Sequence, residues 1–201
     1  MLRVGLTGGL ATGKSFVGRI LESLGCHLMQ ADEAGHEVLL PGGEAFAAVV
    51  AEFGPRILAP DGSIDRRQLG GEVFGKPERL AVLNALVHPH VVRREEEWLK
   101  VVGASDPDGI AVVEAAILVE TGSYRRFEKL ILTVCTEEQQ LRRAMDRDGL
   151  TEDEVRERLK RQMPLDEKRK YADYVVDTSG AKENTVEQVR AVYGLLRSVT
   201  S

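Results

Sequence analysis

The sequence predicts an α/β fold, a parallel sheet flanked by helices, with a helical insertion and a second helical excursion late in the chain. Three observations predict it. Short apolar, β-branched runs alternate with longer amphipathic ones. Two of the short runs, residues 110–117 and 129–136, are apolar almost without interruption, as strands covered on both faces are. The first run, residues 2–7, passes directly into a glycine-rich turn, Gly8-Gly9-Leu10-Ala11-Thr12-Gly13-Lys14-Ser15, that opens a helix.

Taken in order, residues 2–7 form a buried strand and residues 14–24 a helix that Gly25 stops. Residues 27–32 give the second strand. The seventy or so residues from Glu33 to Val102 show helical periodicity and turns but no convincing strand, and are too long for one crossover, so they form a helical insertion. After the strands at 110–117 and 129–136 come two helices whose starts are marked by capping boxes, Thr136 with Gln139 and Thr151 with Glu154. A short last strand at 174–177 and a closing helix at 185–199 complete the pattern. No repeat, low-complexity tract or linker divides the chain.

With 201 residues, 43% apolar and 29% charged, the chain has the make-up of an ordinary globular protein. Its net charge of −5 argues against nucleic acid as a partner, since backbone binding needs a basic surface. No apolar run approaches the roughly 20 residues of a membrane span, and Met1 leads straight into the first motif without room for a signal peptide. Cys26 and Cys135 lie far apart beside apolar segments and read as buried free thiols. These observations point to a cytoplasmic protein; a monomer or weak homo-oligomer is expected, though none of them bears on assembly.

The strongest chemical signal is the complete G-x-x-x-x-G-K-[ST] phosphate loop at residues 8–15. Its glycines allow backbone torsions that turn successive N–H groups inward as an anion nest, and the helix start adds its positive dipole end. Gly8, Gly9, Ala11, Thr12, Gly13, Lys14, Ser15 and Phe16 are the nucleotide-binding candidates; Lys14 reaches the β- and γ-phosphates and Ser15 binds Mg²⁺.

Asp32, at the end of the second strand, belongs at the carboxyl edge of the sheet with the phosphate loop. It is a base for an attacking hydroxyl, a holder of Mg²⁺ through water, or the N-cap of the following helix. Glu114 interrupts an apolar strand and is either an acid near Mg²⁺ or a partner of an arginine. Glu120 is a substrate contact or a loop charge. Arg142 and Arg147 follow Thr136 on a helix and suit the neutralisation of moving phosphate charge, whereas Arg143 and Arg156 read as solvated helix faces. His88 and His90, separated by Pro89, read as structural.

Together these pieces resemble the dephospho-CoA kinase family. The opening Val4-Gly5-Leu6-Thr7-Gly8-Gly9 through Ser15 is similar to that family's start, and Gln30-Ala31-Asp32 to its "DAD" motif. Asp65-Arg66, Val73-Phe74 and Leu83-Asn84-Ala85-Leu86-Val87-His88-Pro89 are similar to its "DR…VF…LNALLHP" stretch. Ala116-Ile117-Leu118-Val119-Glu120-Thr121-Gly122 resembles "PLLFESG", and Gln162-Met163-Pro164-Leu165-Asp166-Glu167-Lys168 its lid. Ala172-Asp173-Tyr174-Val175-Val176-Asp177 resembles "ADFVID". Three positions depart from the pattern: Ala11 stands for glycine, Phe16 for a hydroxyl residue and Ala116 for proline.

The resemblance implies a P-loop kinase fold, with a nucleotide core at 1–32, 104–136 and 172–201, an acceptor region at 33–103 and a lid at 137–171. It implies transfer of the γ-phosphate of Mg·ATP to the ribose 3′-hydroxyl of dephospho-CoA. Lys14, Asp32, Arg142 and Arg147 would carry catalysis, and Asp32, Arg66, Phe74, Leu83, Asn84, His88, Pro89, Leu118 and Glu120 would bind the acceptor. Another small-molecule or nucleoside monophosphate kinase is the alternative.

Overall fold

The structure, a computed structural model, describes residues 1–200. Its chain divides into two compact units, one made of Met1–Gln30 together with the chain from Leu99 onward, the other of Ala31–Trp98.

The first unit is built on a five-stranded sheet of order β2-β3-β1-β4-β5. Its strands are β1 (Leu2–Gly8), β2 (His27–Gln30), β3 (Ile110–Glu114), β4 (Lys129–Val134) and β5 (Tyr174–Asp177), and every pairing is parallel. β1 is central, between β3 and β4. Parallel neighbours need crossovers; the connection leaving β1 runs to one edge of the sheet and the one leaving β3 to the other side of β1. That reversal places the carboxyl ends of β1 and β3 side by side at the point where α/β sheets bind ligands.

One sheet face carries Leu2, Val4, Leu6, Ile110, Val112 and Ile131, which are buried with Val17 and Leu21 of α1 (Lys14–Ser23) and Val189, Val192 and Leu196 of α9 (Lys182–Thr200). On the other face Gly5 leaves a gap that Leu118, Phe127 and Leu130 fill; a Cβ at Gly5 would lie 2.9–3.1 Å from all three. α1 ends as its sequence requires, with Gly25 at φ 98°, the left-handed step that ends many helices.

The excursion after β4 contains three helices: α6 (Glu137–Asp148), α7 (Glu152–Lys160) and a short α8 (Leu165–Arg169) that the periodicity alone does not reveal. Both capping boxes form. Thr136 accepts from the Gln139 N–H and Thr151 from the Glu154 N–H, and both partner side chains bond back to the cap. β2 is shorter than the sequence suggests. It stops at Gln30, and Asp32 lies in the first turn of α2 (Ala31–Glu37).

The second unit holds α2, α3 (Phe46–Phe53), a 3₁₀ turn at Pro55–Ile57, α4 (Arg66–Val73) and most of α5 (Pro77–Ser105), which continues through Pro89. Apart from an isolated bridge between Leu58 and Ile64, its described residues are helical, turn or irregular. Asp65 caps α4 by accepting from the Arg67 and Gln68 N–H groups at 2.8 and 3.3 Å. The unit's core is Val38, Val49, Phe53, Ile57 and Leu69, against which Leu83, Leu86 and Val87 of α5 pack. Arg94 ties Glu44 and Glu37 together, and its fork holds the Glu44 carboxyl down at about 2.

Phe53 is the largest side chain in this core, 2% exposed, with the Arg79 guanidinium 4.3 Å above its ring. Phe53→Ala should destabilise the protein by about 3–5 kcal/mol, the range for a truncated core aromatic; urea unfolding followed by circular dichroism measures it.

Candidate functional site

The phosphate loop is a backbone structure, and its geometry follows from where its carbonyls go. Lys168 Nζ donates to Gly8 O at 3.2 Å. Thr12 Oγ1 and Lys14 Nζ donate to Gly9 O at 3.0 and 2.8 Å. Gln140 Nε2 donates to Leu10 O at 2.7 Å, Cys135 Sγ lies 3.9 Å from Ala11 O, and Thr178 Oγ1 donates to Thr12 O at 2.9 Å. In a planar trans peptide the N–H points opposite to the C=O. Carbonyls drawn outward at Leu10 and Thr12 therefore leave the amides of Ala11 and Gly13 directed into the loop.

Two left-handed residues make the turn, Gly13 at φ 82° and Ala11 at φ 55°. The first is natural for glycine; the second is a strained setting for a residue with a Cβ. The methyl that distinguishes Ala11 from the family's glycine is thus accepted in the loop, with its torsion inside the left-handed region. Gly8 and Gly9 are required by closeness instead. A Cβ at Gly8 would fall 2.2 Å from Thr133 Oγ1, and one at Gly9 2.6 Å from Gln140 Nε2. Thr12 is fully buried and shares a 2.8 Å hydrogen bond with Thr133 Oγ1, fastening the loop to β4.

Lys14 opens α1 with its ammonium folded over the loop onto Gly9 O. Ser15 Oγ donates to Glu114 Oε1 at 2.7 Å. Glu114 is 5% exposed at the end of β3, and its Oε2 lies against Gly18, where a Cβ would come within 3.1 Å. A hydroxyl and a carboxylate side by side beneath an anion nest form a hard-oxygen set of the kind Mg²⁺ takes. The Phe16 N–H donates to Gly13 O at 3.1 Å within the first turn of α1, and the Phe16 ring faces Lys182 Nζ at 5.9 Å.

Arg142 and Arg143 exchange the positions expected of them. α6 buries Gln140 and Ala144, and Arg143 and Arg147 follow on the same side at helical spacing. Arg143 is partly buried and donates from Nη1 to Thr178 Oγ1 at 3.0 Å and from Nη2 to Thr178 O at 2.7 Å. Thr178 in turn holds Thr12 O, so the Arg143 guanidinium adjoins the phosphate loop. It is not a solvated face. Arg142, two residues beyond Gln140, is exposed on the opposite side in a groove of about 550 Å³ lined also by Leu141, Met145, Glu138 and Arg156. Adjacent arginines differ by about 100° around a helix, and that angle decides between them. Arg156 bridges Glu152 and Glu137 on the surface. Arg147 forms a forked pair with Asp148, at 2.7 and 2.9 Å, which holds the Asp148 carboxyl below its usual range.

Two acceptor-side expectations change. Leu118 is 3% exposed and packs beneath Gly5, so it belongs to the core and not to a substrate surface. Glu120 Oε1 accepts from Lys168 Nζ at 2.8 Å and from the Met163 N–H at 3.1 Å, which ties it into the protein. Within the second unit, Asp32 is exposed and carries no side-chain hydrogen bond or ion pair among the described residues. It sits inside α2, one residue past its start, and caps nothing. Arg66 and Pro89 are exposed and Phe74 is 52% exposed. Asn84 and His88, one helical turn apart on α5, and Leu83 are half-buried, and burial pushes the His88 imidazole below its usual pKa.

Gln140 and Thr178 were missed by sequence reasoning, which placed Gln162 and Lys168 in a lid without assigning them a contact with the loop. Gln140 was detectable, since a buried glutamine at the a-like position of a charged helix must have a partner. The others depend on contacts across more than a hundred residues.

Comparison with known proteins agrees with this geometry. A family model described as dephospho-CoA kinase matches residues 2–184. A dephospho-CoA kinase of Carboxydothermus hydrogenoformans is 42% identical over 94% of this chain and 91% of its own length. A crystal structure of a Thermus thermophilus protein superposes with a TM-score of 0.82 at 32% identity, covering 100% of this chain and 98% of that one. The fold is also that of a dephospho-CoA kinase from Campylobacter jejuni, TM-score 0.64 at 24% identity over 96% of both chains. With a sheet, a loop and a near-complete match in common, the chain belongs to the dephospho-CoA kinase family, ATP-dependent kinases that act on a hydroxyl group.

Proposed function

We propose that residues 8–15 hold the β- and γ-phosphates of ATP and that Asp32 acts on the ribose 3′-hydroxyl of dephospho-CoA. The observation that carries this reading is the loop itself, with its carbonyls engaged outward, its Ala11 and Gly13 amides directed inward, and Lys14 and Ser15 at the helix start. The acceptor oxygen attacks the γ-phosphorus in line as the bond to the β–γ bridging oxygen breaks, and the hydroxyl proton passes to a carboxylate. Transfers of this kind have loose transition states, so positioning and charge neutralisation outweigh the strength of the base. Lys14 swings from Gly9 O to the phosphates, and the Arg143 guanidinium supplies a second cation beside the loop.

Ser15, with Glu114 behind it, would hold Mg²⁺, which supplies neutralisation of the phosphate charge. Asp32 follows Gln30 by two residues, and Gln30 is in register with Glu114, whose carboxylate meets Ser15. The match of Gln30-Ala31-Asp32 to the family's second-strand motif, and the exposure of Asp32, support the role on the acceptor. Exposed Arg66 and Phe74 offer a cation and an aromatic face to the phosphate and adenine of the acceptor, with Leu83, Asn84, His88 and Pro89 completing the region. Of residues 137–171, the part able to close as a lid is α7 and its flanks, because Gln140, Arg143, Gln162 and Lys168 are already bonded around the loop. Among the described residues no helix is long and apolar enough to cross a membrane.

A coupled assay of ADP release with dephospho-CoA tests the reaction, with adenosine monophosphate and pantothenate as controls; the product should be heavier by one phosphate on the ribose 3′ position. ADP release with adenosine monophosphate and none with dephospho-CoA would reject it. Asp32→Asn should lower turnover by about 10²–10⁴-fold, the usual contribution of a general base, with ATP affinity little changed; a merely structural Asp32 would leave turnover near wild type. Arg143→Ala should lower turnover at least about tenfold, within the loss expected for one charge-stabilising group, while Arg142→Ala stays within about threefold, since exposed charges away from a site matter little. Steady-state kinetics on the two variants decides between the adjacent arginines.

A further inference from the structure

Lys168 is fully buried, in a five-residue helix whose other charged side chains are exposed. Its ammonium has three protons, and three acceptors surround it: Gly8 O at 3.2 Å, Ala116 O at 2.9 Å and Glu120 Oε1 at 2.8 Å. The acceptors come from three segments, the end of β1, the turn after β3 and the loop that follows it. Burying an ammonium costs several kcal/mol before its partners are counted, and a well-packed apolar side chain usually stabilises such a site as well or better. Stability alone therefore does not account for a lysine here.

Its contacts converge on the phosphate loop by two routes. Directly, Lys168 fixes Gly8 O, which sets the plane of the Gly8–Gly9 peptide and so the direction of the Gly9 N–H. Indirectly, it holds Glu120 Oε1, which also receives the Met163 N–H; the neighbouring Gln162 accepts the Leu10 N–H at 2.8 Å. Leu165, one turn earlier on α8, lies on the same side, 3.3 Å from where a Gly9 Cβ would stand. The first three loop residues are thus oriented from one buried charge.

We propose that Lys168 is a positioning residue for phosphoryl transfer: it sets the direction of the Gly9 amide and, through Glu120 and the Gln162–Met163 segment, holds the turn at Leu10 in the loop shape that receives the triphosphate. The inference rests on residues 8–15 being the nucleotide site. Misplacing reacting groups by about 1 Å can lower a rate about 10²-fold, so an effect on kcat is expected without an effect on the acceptor site.

The test compares Lys168→Met, Lys168→Gln and Lys168→Arg, with the folded fraction read by circular dichroism and kcat expressed per folded molecule. Methionine should lower kcat by about 10–100-fold with the KM for dephospho-CoA unchanged, and arginine, which keeps charge and several donors, should restore most of it. A folded methionine variant with near-normal kcat, or arginine as damaging as methionine, overturns the proposal. If methionine does not fold, glutamine, which keeps two N–H donors, carries the same comparison; if neither folds, Lys168 is a structural group and the positioning role falls. Lys14→Ala separates the two readings. Near-normal activity there removes the nucleotide site itself, whereas an inactive Lys14→Ala beside a fully active Lys168→Met removes only this inference.

Discussion

A turn that binds phosphate through its amides must dispose of its carbonyls, and this constraint organises the first unit. Backbone carbonyls buried without partners are costly, so a loop with inward N–H groups needs donors arranged around its outside. Here those donors come from all over the sequence: Thr12 from the loop, Gln140 from α6, Lys168 from α8 and Thr178 from the turn after β5. The sheet order puts β1 between β3 and β4, and that is what brings these segments around one strand end.

The same constraint explains the residues that are not donors. Gly8 and Gly9 lack side chains because Thr133 and Gln140 stand where a Cβ would be. Thr133 is buried because it fixes Thr12. Glu114 is tolerated at the end of an apolar strand because Ser15 gives it a hydroxyl partner. Each of these local departures from an apolar core thus answers to the loop or to the helix start that follows it.

Much of this was legible in the sequence. The loop announced itself through spacing and context, and the strands through apolar runs. Both helix starts were marked by capping boxes, because the two partners of a box lie three residues apart. What was not legible depended on long-range contacts or on angle. β2 ends two residues earlier than its apolar pattern suggests, since Ala31 is buried in a helix as readily as in a strand. Weighing residue type without helical face favours Arg142 over Arg143, whereas the buried positions 140 and 144 put Arg143 on the loop side of α6. Leu118 followed a family motif into a binding role although it fills the space above Gly5. Lys168 enters the sequence reading as the end of a segment resembling the family's lid, and only the fold shows it without solvent.

The central claim is that the loop is held in its binding shape by its surroundings and not by the phosphates it receives. Backbone order parameters from ¹⁵N relaxation of the protein alone test this most directly. The account predicts values for residues 9–15 close to the roughly 0.85 of a rigid backbone such as β1. Values below about 0.6 there, rising only when ATP is added, would show a flexible loop shaped by its ligand and would contradict it.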